Sequence, residues 1–170
     1  MKINAHIKGF TLVEMILYVS ICAILLLCLS TFLSFLLGAR VRSQAINEVN
    51  QQGFQVMSLM TQTIRNGRSI QTPDIGATSS FLSLTAVNSL FNPTIFDISS
   101  STIRIKEGSK SPIALTNSRV QVSALVFQNI SSASSTEKII RISYNIDSIN
   151  QSGRNEYTFT KSFNGSATLR

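Results

Sequence analysis

Residues 10–37 read FTLVEMILYVSICAILLLCLSTFLSFLL, and Glu14 is the one charged residue among them. At about 1.5 Å rise per residue, a helix of this length reaches roughly 42 Å, whereas the hydrocarbon core of a bilayer is about 30 Å thick. The run contains neither Gly nor Pro, so no residue type in it demands a kink. The sequence therefore predicts a continuous helix that spans a membrane.

The residues around this run argue against an ordinary secretory signal. Lys2 and Lys8 precede it, as basic residues precede any export signal, but the run is far longer than an apolar region of roughly 7–15 residues. No small-x-small cleavage pattern stands at its far end. Arg40 and Arg42 flank the other side, so charge hardly decides the orientation. The short N-terminal arm and the Ser/Thr-rich remainder favour an extracytoplasmic C-terminal part.

Glu14 is the anomaly in this apolar helix. On insertion scales a carboxylate at the centre of a membrane helix costs on the order of 2.5–3.5 kcal/mol, and less near the interface. One interpretation is that Glu14 merely reaches the lipid headgroups. The other is that it is a functional residue with a specific partner, because an ionisable side chain inside a membrane is a functional hypothesis by default.

The context of Glu14 favours the second interpretation. Residues 9–14 read GFTLVE and follow Lys8. This pattern resembles the class III signal of type IV pilins and type II secretion pseudopilins: a short basic leader ending in Gly, then Phe-Thr-Leu-x-Glu, then a long apolar helix. The resemblance covers residues 1–37.

The resemblance implies a role for each matching residue. Residues 1–9 would be a leader peptide, which a prepilin peptidase removes after Gly9, and Phe10 would become an N-methylated N-terminus. Glu14 would then face the α-amino group on Phe10 of a neighbouring pilin or pseudopilin subunit. An acid buried among apolar helices needs such a counter-charge. One pair of this kind would set the axial register of helices whose Leu, Ile and Phe side chains discriminate little between positions.

The resemblance also implies a location and a class of subunit. The protein would lie in the lipid of the cytoplasmic (inner) membrane as a single-pass protein, and would then enter a cell-surface or periplasmic filament. Many major pilins carry a helix-breaking Gly or Pro within the apolar run. Its absence here leans toward a minor subunit. The strand pattern of residues 68–170 also resembles the head of minor pilins and of the J-type minor pseudopilins, in strand order and in ending soon after an aromatic strand.

The helical pattern continues through residues 38–66 and becomes amphipathic. Phe54 is the exception on the polar side, Gly53 permits close approach of a sheet, and Gly67 is a plausible stop. Two separate helices are the alternative to one helix over 10–66. One face collects the apolar and small residues: Ala45, Ile46, Val49, Gly53, Val56, Met57, Met60 and Ile64.

Residues 67–170 change to a period of two, which is typical of strands. Their clearest alternation sets Ile140, Ile142, Tyr144 and Ile146 against polar neighbours, as in an antiparallel sheet covered on one side. We expect an α+β fold in which residues 38–66 cover one small sheet, and a C-terminus bound to that sheet. A loop is expected over 71–80 and strands over 81–87, 102–106, 119–128, 138–147 and 156–163, with a shorter strand over 95–98.

Composition argues against an enzyme. His6 is the one histidine and lies in the expected leader, so the processed chain would have no Ser/His/Asp or Cys/His catalysis and no zinc site of the His/Cys type. The acids outside the apolar run are widely spaced, and no calcium or phosphate loop is present. Cys22 and Cys28 are interpreted as small apolar residues of the membrane segment. We expect no catalytic residue, metal or cofactor.

The formal net charge of +7 is dispersed rather than concentrated. A solvated surface is the simpler interpretation, and a surface that meets DNA or a secreted substrate is the alternative. The competing function is accordingly a single-pass, membrane-anchored adhesin or DNA-binding receptor that does not polymerise. It requires no processing at Gly9.

Overall fold

A computed structural model describes residues 9, 11–134, 137–150, 153 and 158–169. Contacts between Cα atoms divide the chain into two compact units, with the boundary between Arg40 and Val41. The elements are helix α1 (Leu12–Arg65), a 3-10 turn (Ser89–Phe91), and the strands β1 (Gly67–Thr72), β2 (Thr78–Ser79), β3 (Leu82–Ala86), β4 (Thr94–Ser99), β5 (Thr102–Glu107), β6 (Ile113–Ala114), β7 (Val120–Asn129), β8 (Ile139–Ser148) and β9 (Thr160–Thr168).

Helix α1 confirms the prediction of one uninterrupted helix. It runs for 54 residues, so the alternative of two separate helices is wrong. Phe10, the predicted first residue, lies outside the described residues. The helix ends at Arg65, close to the predicted end, but Gly67 is not a glycine cap. It is buried and opens strand β1 directly.

The predicted α+β fold with antiparallel strands is confirmed, but the expectation of a single sheet is wrong. Both sheets are antiparallel, but there are two of them. Strands β1-β3-β4-β5-β6 form a five-stranded sheet, and β2-β7-β8-β9 form a four-stranded sheet. The strands that sequence reasoning missed are β1, which overlaps the expected loop over 71–80, and the two-residue strands β2 and β6. They carry too few apolar residues to alternate, so only their pairing defines them.

The last strand differs from the prediction. The expected strand over 156–163 was placed on aromatic residues, but β9 runs from Thr160 to Thr168. Glu156 and Tyr157 lie outside the described residues. The polar segment Asn164–Thr168, which reads like a turn, belongs to the strand because it pairs continuously with β8. The expectation of a sheet-bound C-terminal segment is confirmed as far as Leu169, whose amide donates to the Lys138 carbonyl over 2.9 Å.

The amphipathic part of α1 buries its predicted face on the sheets. Val49, Val56, Met60 and Ile64 are at most 1% exposed, and they join one core with apolar residues of both sheets. Gly53 has the predicted close approach. A Cβ atom there would overlap with the ring of Phe163 on β9, so helix and strand meet at a distance that no other residue type permits.

Candidate functional site

The N-terminus of α1 is capped by Thr11. Its hydroxyl oxygen accepts a hydrogen bond from the Glu14 amide over 3.2 Å, and its carbonyl oxygen accepts from the Met15 amide over 3.2 Å. The first amides of a helix have no intrahelical partner, and a Thr side chain at the N-cap satisfies one of them. The Thr-Leu-Val-Glu segment thus starts the helix and places Glu14 in its first turn.

The Glu14 carboxylate has a partner that sequence reasoning missed. The Tyr18 hydroxyl donates a hydrogen bond of 3.1 Å to Glu14 Oε1. The spacing of four residues was the available signal, because side chains at i and i+4 are neighbours on a helix. Tyr18 takes part in a further interaction as well. Its phenol is a neutral donor, so Glu14 gains a hydrogen bond but no counter-charge from it.

Glu14 belongs to none of the ion pairs found in the described part of the chain. Those pairs are Arg104–Asp97 at 2.7 Å, Lys110–Glu107 at 3.2 Å and Arg119–Glu48 at 3.7 Å. Gly9 is exposed, and Phe10 lies outside the described residues. Cleavage between them and methylation of Phe10 therefore stay predictions.

The first half of α1 presents an apolar surface on all sides. Leu12, Phe32 and Phe35 are 75%, 60% and 74% exposed. The most apolar stretch of 18 residues in α1 has no residue buried within the structure. Within the described residues this is the one helix that is long and apolar enough to cross a membrane. Cys22 and Cys28 lie on it as exposed free thiols.

A polar groove of about 900 Å³ lies beside the second half of α1. Glu48 is its central charge: Asn117 Nδ2 donates to Glu48 Oε1 over 2.6 Å, and Arg119 Nη1 lies 3.7 Å from Oε2. These contacts satisfy Glu48 within the chain. Among the residues that the structure describes, no three His, Cys, Asp or Glu side chains are grouped to hold a metal ion.

Comparisons with known proteins add no further identification. No protein-family model, no curated protein and no solved structure matches this chain.

Proposed function

We propose that this chain is a minor structural subunit of a type IV pilus-like filament or of a type II secretion pseudopilus. In this proposal a prepilin peptidase cleaves after Gly9, Phe10 is N-methylated, and the subunit enters the filament through its N-terminal helix. The observation that carries the proposal is the Glu14 carboxylate, which is the one charge in the apolar run 10–37. It has a neutral hydrogen-bond donor and no counter-charge among the described residues.

The exposed apolar surface of α1 supports the need for an outside partner. Contiguous apolar patches beyond a few hundred Å² mark membrane or protein contacts. Side chains such as Val13 and Leu27 are 73% and 68% exposed, and lipid covers them before assembly in this proposal. Apolar helices of neighbouring subunits cover them afterwards, which exchanges one apolar environment for another.

The acid is what makes assembly specific. Apolar helices slide past one another at little cost, whereas a buried charge has a low energy only where its counter-charge lies. Cleavage after Gly9 would create an ammonium four residues before Glu14 in every subunit. The Tyr18 hydroxyl occupies Oε1 and leaves Glu14 Oε2 available to the ammonium of a neighbouring copy.

The mass of the N-terminus tests the proposal directly. Full-length protein extracted from membranes of the cells that make it is analysed by intact and N-terminal peptide mass spectrometry. The expected N-terminus is Phe10 with one added methyl group. An intact Met1 would overturn the proposal and favour the anchored receptor that does not polymerise.

The receptor alternative has its own observation. Arg65, Arg68 and Arg141 are exposed and belong to none of the ion pairs among the described residues. If they meet DNA, the affinity of the detergent-solubilised full chain for duplex DNA should fall steeply as salt rises, because binding releases condensed counterions. A weak, salt-independent association would remove this function.

A further inference from the structure

Strand β9 is an outer strand of the four-stranded sheet, and its pairing shows which of its backbone groups point outward. Phe159 and Leu169 face β8, because the Ser148 amide donates to the Phe159 carbonyl and the Leu169 amide donates to Lys138. Pairing groups alternate along an antiparallel strand, and the β8–β9 register has no shift. The outward amides and carbonyls therefore belong to the even-numbered residues: Thr160, Ser162, Asn164, Ser166 and Thr168.

The other sheet edges carry features that hinder pairing with another chain, and β9 carries one such feature, the charge on Lys161. Strand β1 has two register irregularities, while β2 and β6 are two residues long. Strand β9 is nine residues long, and it contains no Pro. Its one charge, on Lys161, is turned to Asn50 Oδ1 at 2.7 Å. Short strands, bulges, Pro and charges are the usual protection of an edge. Within the described residues, β9 has only the Lys161 charge of these, so its edge is available for pairing.

An exposed aromatic ring lies beside the same edge on its helical side. Phe54 is 61% exposed, and its ring meets the ring of Phe163 edge-on at a centroid distance of 5.5 Å. On its other side, the Phe163 ring stacks on the ring of Tyr144 on β8, with 5.5 Å between the two centroids. Tyr144 is 1% exposed. The Lys161 ammonium lies 5.0 Å from the centroid of the Phe54 ring and 5.3 Å from that of Phe163. The aromatic cluster therefore ends at β9 in the exposed Phe54 ring, and a side chain on an added strand would cover the part of this ring that Lys161 leaves exposed.

The polar face of the four-stranded sheet carries a positive charge close to the same edge. Arg141 on β8 is exposed, and its neighbour across the ladder is Ser166 on β9. A strand beside β9 would place its own residue about 10 Å from the Arg141 backbone, two strand spacings away. The small Ser166 side chain leaves the guanidinium free to reach across β9 toward an acidic side chain there.

We propose that β9 accepts an extended strand from another subunit of the same assembly, added to the open edge of the sheet. The incoming strand alternates: an apolar side chain opposite Phe163 packs on Phe54, and an acidic side chain opposite Ser166 pairs with Arg141. A second copy offering its own β9 fits less well, because antiparallel pairing about Asn164 puts Ser162 opposite Ser166 and gives Arg141 no acid. The inference rests on the proposed function and adds the head contact that such a subunit would make.

Hydrogen exchange at single-residue resolution tests this pairing whichever subunit supplies the incoming strand. The full-length protein is compared as a detergent-solubilised monomer and in assemblies extracted from membranes. In the monomer, the five even-numbered amides of β9 should exchange fast and the odd-numbered ones slowly. In the assembly the five should slow by on the order of 100-fold.

The outcomes separate the two proposals. Assemblies in which these five amides still exchange fast would overturn the strand inference and leave the filament function standing. If the N-terminus is unprocessed and no assembly forms, both proposals fail. Slowed exchange with cross-links from Asn164 to a second β9 would replace the partner strand by a symmetric pair, which contradicts the predicted acid opposite Ser166.

Two variants at one position test the same edge in cells. Ser162→Pro removes an outward amide without removing a bond to β8, since Pro is tolerated on edges whose amides face solvent. Ser162→Ala removes the hydroxyl and keeps the amide. Incorporation into assemblies should fall about tenfold for the Pro variant, the effect of 1.4 kcal/mol, and remain normal for the Ala variant. Equal incorporation of both would contradict the inference.

A charge reversal on the face of the sheet tests the inference independently, in case the Pro variant fails to fold. Arg141 belongs to no ion pair within the described residues, so Arg141→Glu should leave the thermal unfolding midpoint nearly unchanged. Incorporation should fall for Arg141→Glu and be retained for Arg141→Lys. Normal incorporation of the Glu variant would exclude the predicted acid on the incoming strand.

Discussion

The hydroxyl of Tyr144 on β8 donates a 2.8 Å hydrogen bond to the backbone carbonyl oxygen of Gly53 in the middle of α1. The two residues are 91 positions apart in the chain, and both are buried. The contact exists because Gly53 has no side chain and the ring of Phe163 occupies the space that a Cβ atom would need. One glycine thus permits both the close helix–sheet approach and the buried hydroxyl.

Gly53→Ala should destabilise the domain formed by residues from Val41 onward. Ala gains about 1 kcal/mol in helix propensity over Gly, but overpacking against Phe163 costs typically about 1–3 kcal/mol, so we expect a net loss. Chemical denaturation of the full chain in detergent measures it. Gly38→Ala in the same helix is the matched control, because nothing lies within 4 Å of its Cβ position. Equal stability of the two variants would contradict the overlap.

Tyr144→Phe should lower the free energy of unfolding by about 0.5–1.5 kcal/mol, the usual net value of one hydrogen bond. The effect should be modest because the ring and its stacking on Phe163 remain. The denaturation midpoint in detergent measures it. A loss far above this range would mean that the hydroxyl makes a further stabilising contact besides its hydrogen bond to the Gly53 carbonyl.

The stability of the folded chain should also fall at high pH, and Tyr144 should contribute to that fall. Burial raises the pKa of its hydroxyl well above the ordinary value, and a backbone hydrogen bond at Met57 opposes that rise only in part. The folded state therefore favours the neutral phenol. This contribution is complete below the ordinary tyrosine pKa of about 10 and is lost as pH rises above it. Above about pH 10, the denaturation midpoint should fall less steeply with pH in Tyr144→Phe than in the wild type. Identical slopes of midpoint against pH would contradict this role of Tyr144.

Glu14→Gln should leave membrane insertion intact and reduce incorporation into filaments. The amide keeps the shape and a hydrogen bond, but it cannot pair with an ammonium. Because removing one partner of a buried pair costs several kcal/mol, we expect a reduction of about tenfold or more, measured by immunoblot of sheared filaments against membranes. Ser20→Ala is the control, since among the described residues its hydroxyl bonds to the Ile16 carbonyl of its own helix alone. Normal filament yield from Glu14→Gln would count against the register argument.

Tyr18→Phe should produce a smaller defect of the same kind. It removes the donor to Glu14 Oε1 and preserves the ring, and hydrogen bonds between side chains in membranes are worth roughly 0.6–2 kcal/mol. We expect incorporation between that of the wild type and that of Glu14→Gln, with cleavage after Gly9 unchanged. The double variant should show less than the sum of the two defects, because both changes act on the Glu14 carboxylate.

Much of the architecture was predictable because its signals are local. A 28-residue apolar run and the 3.6-residue period of residues 45–64 describe a single helix with one buried face, whatever lies around it. The alternation of Ile140 to Ile146 likewise describes a half-buried strand. Even the close approach at Gly53 was predictable, because a glycine on an apolar helical face has few other uses.

Only the tertiary structure decided how the strands are shared between two sheets, where β9 begins and ends, and which backbone edge stays open. The pairing of β1, β2 and β6 and the strand character of Asn164–Thr168 come from hydrogen bonds to residues far away in the chain, and such bonds leave no period in a polar segment. The Tyr18–Glu14 contact was local and was still missed, because hydropathy describes the helix as uniformly apolar. Local periodicity therefore determined the elements, while long-range pairing determined their partners.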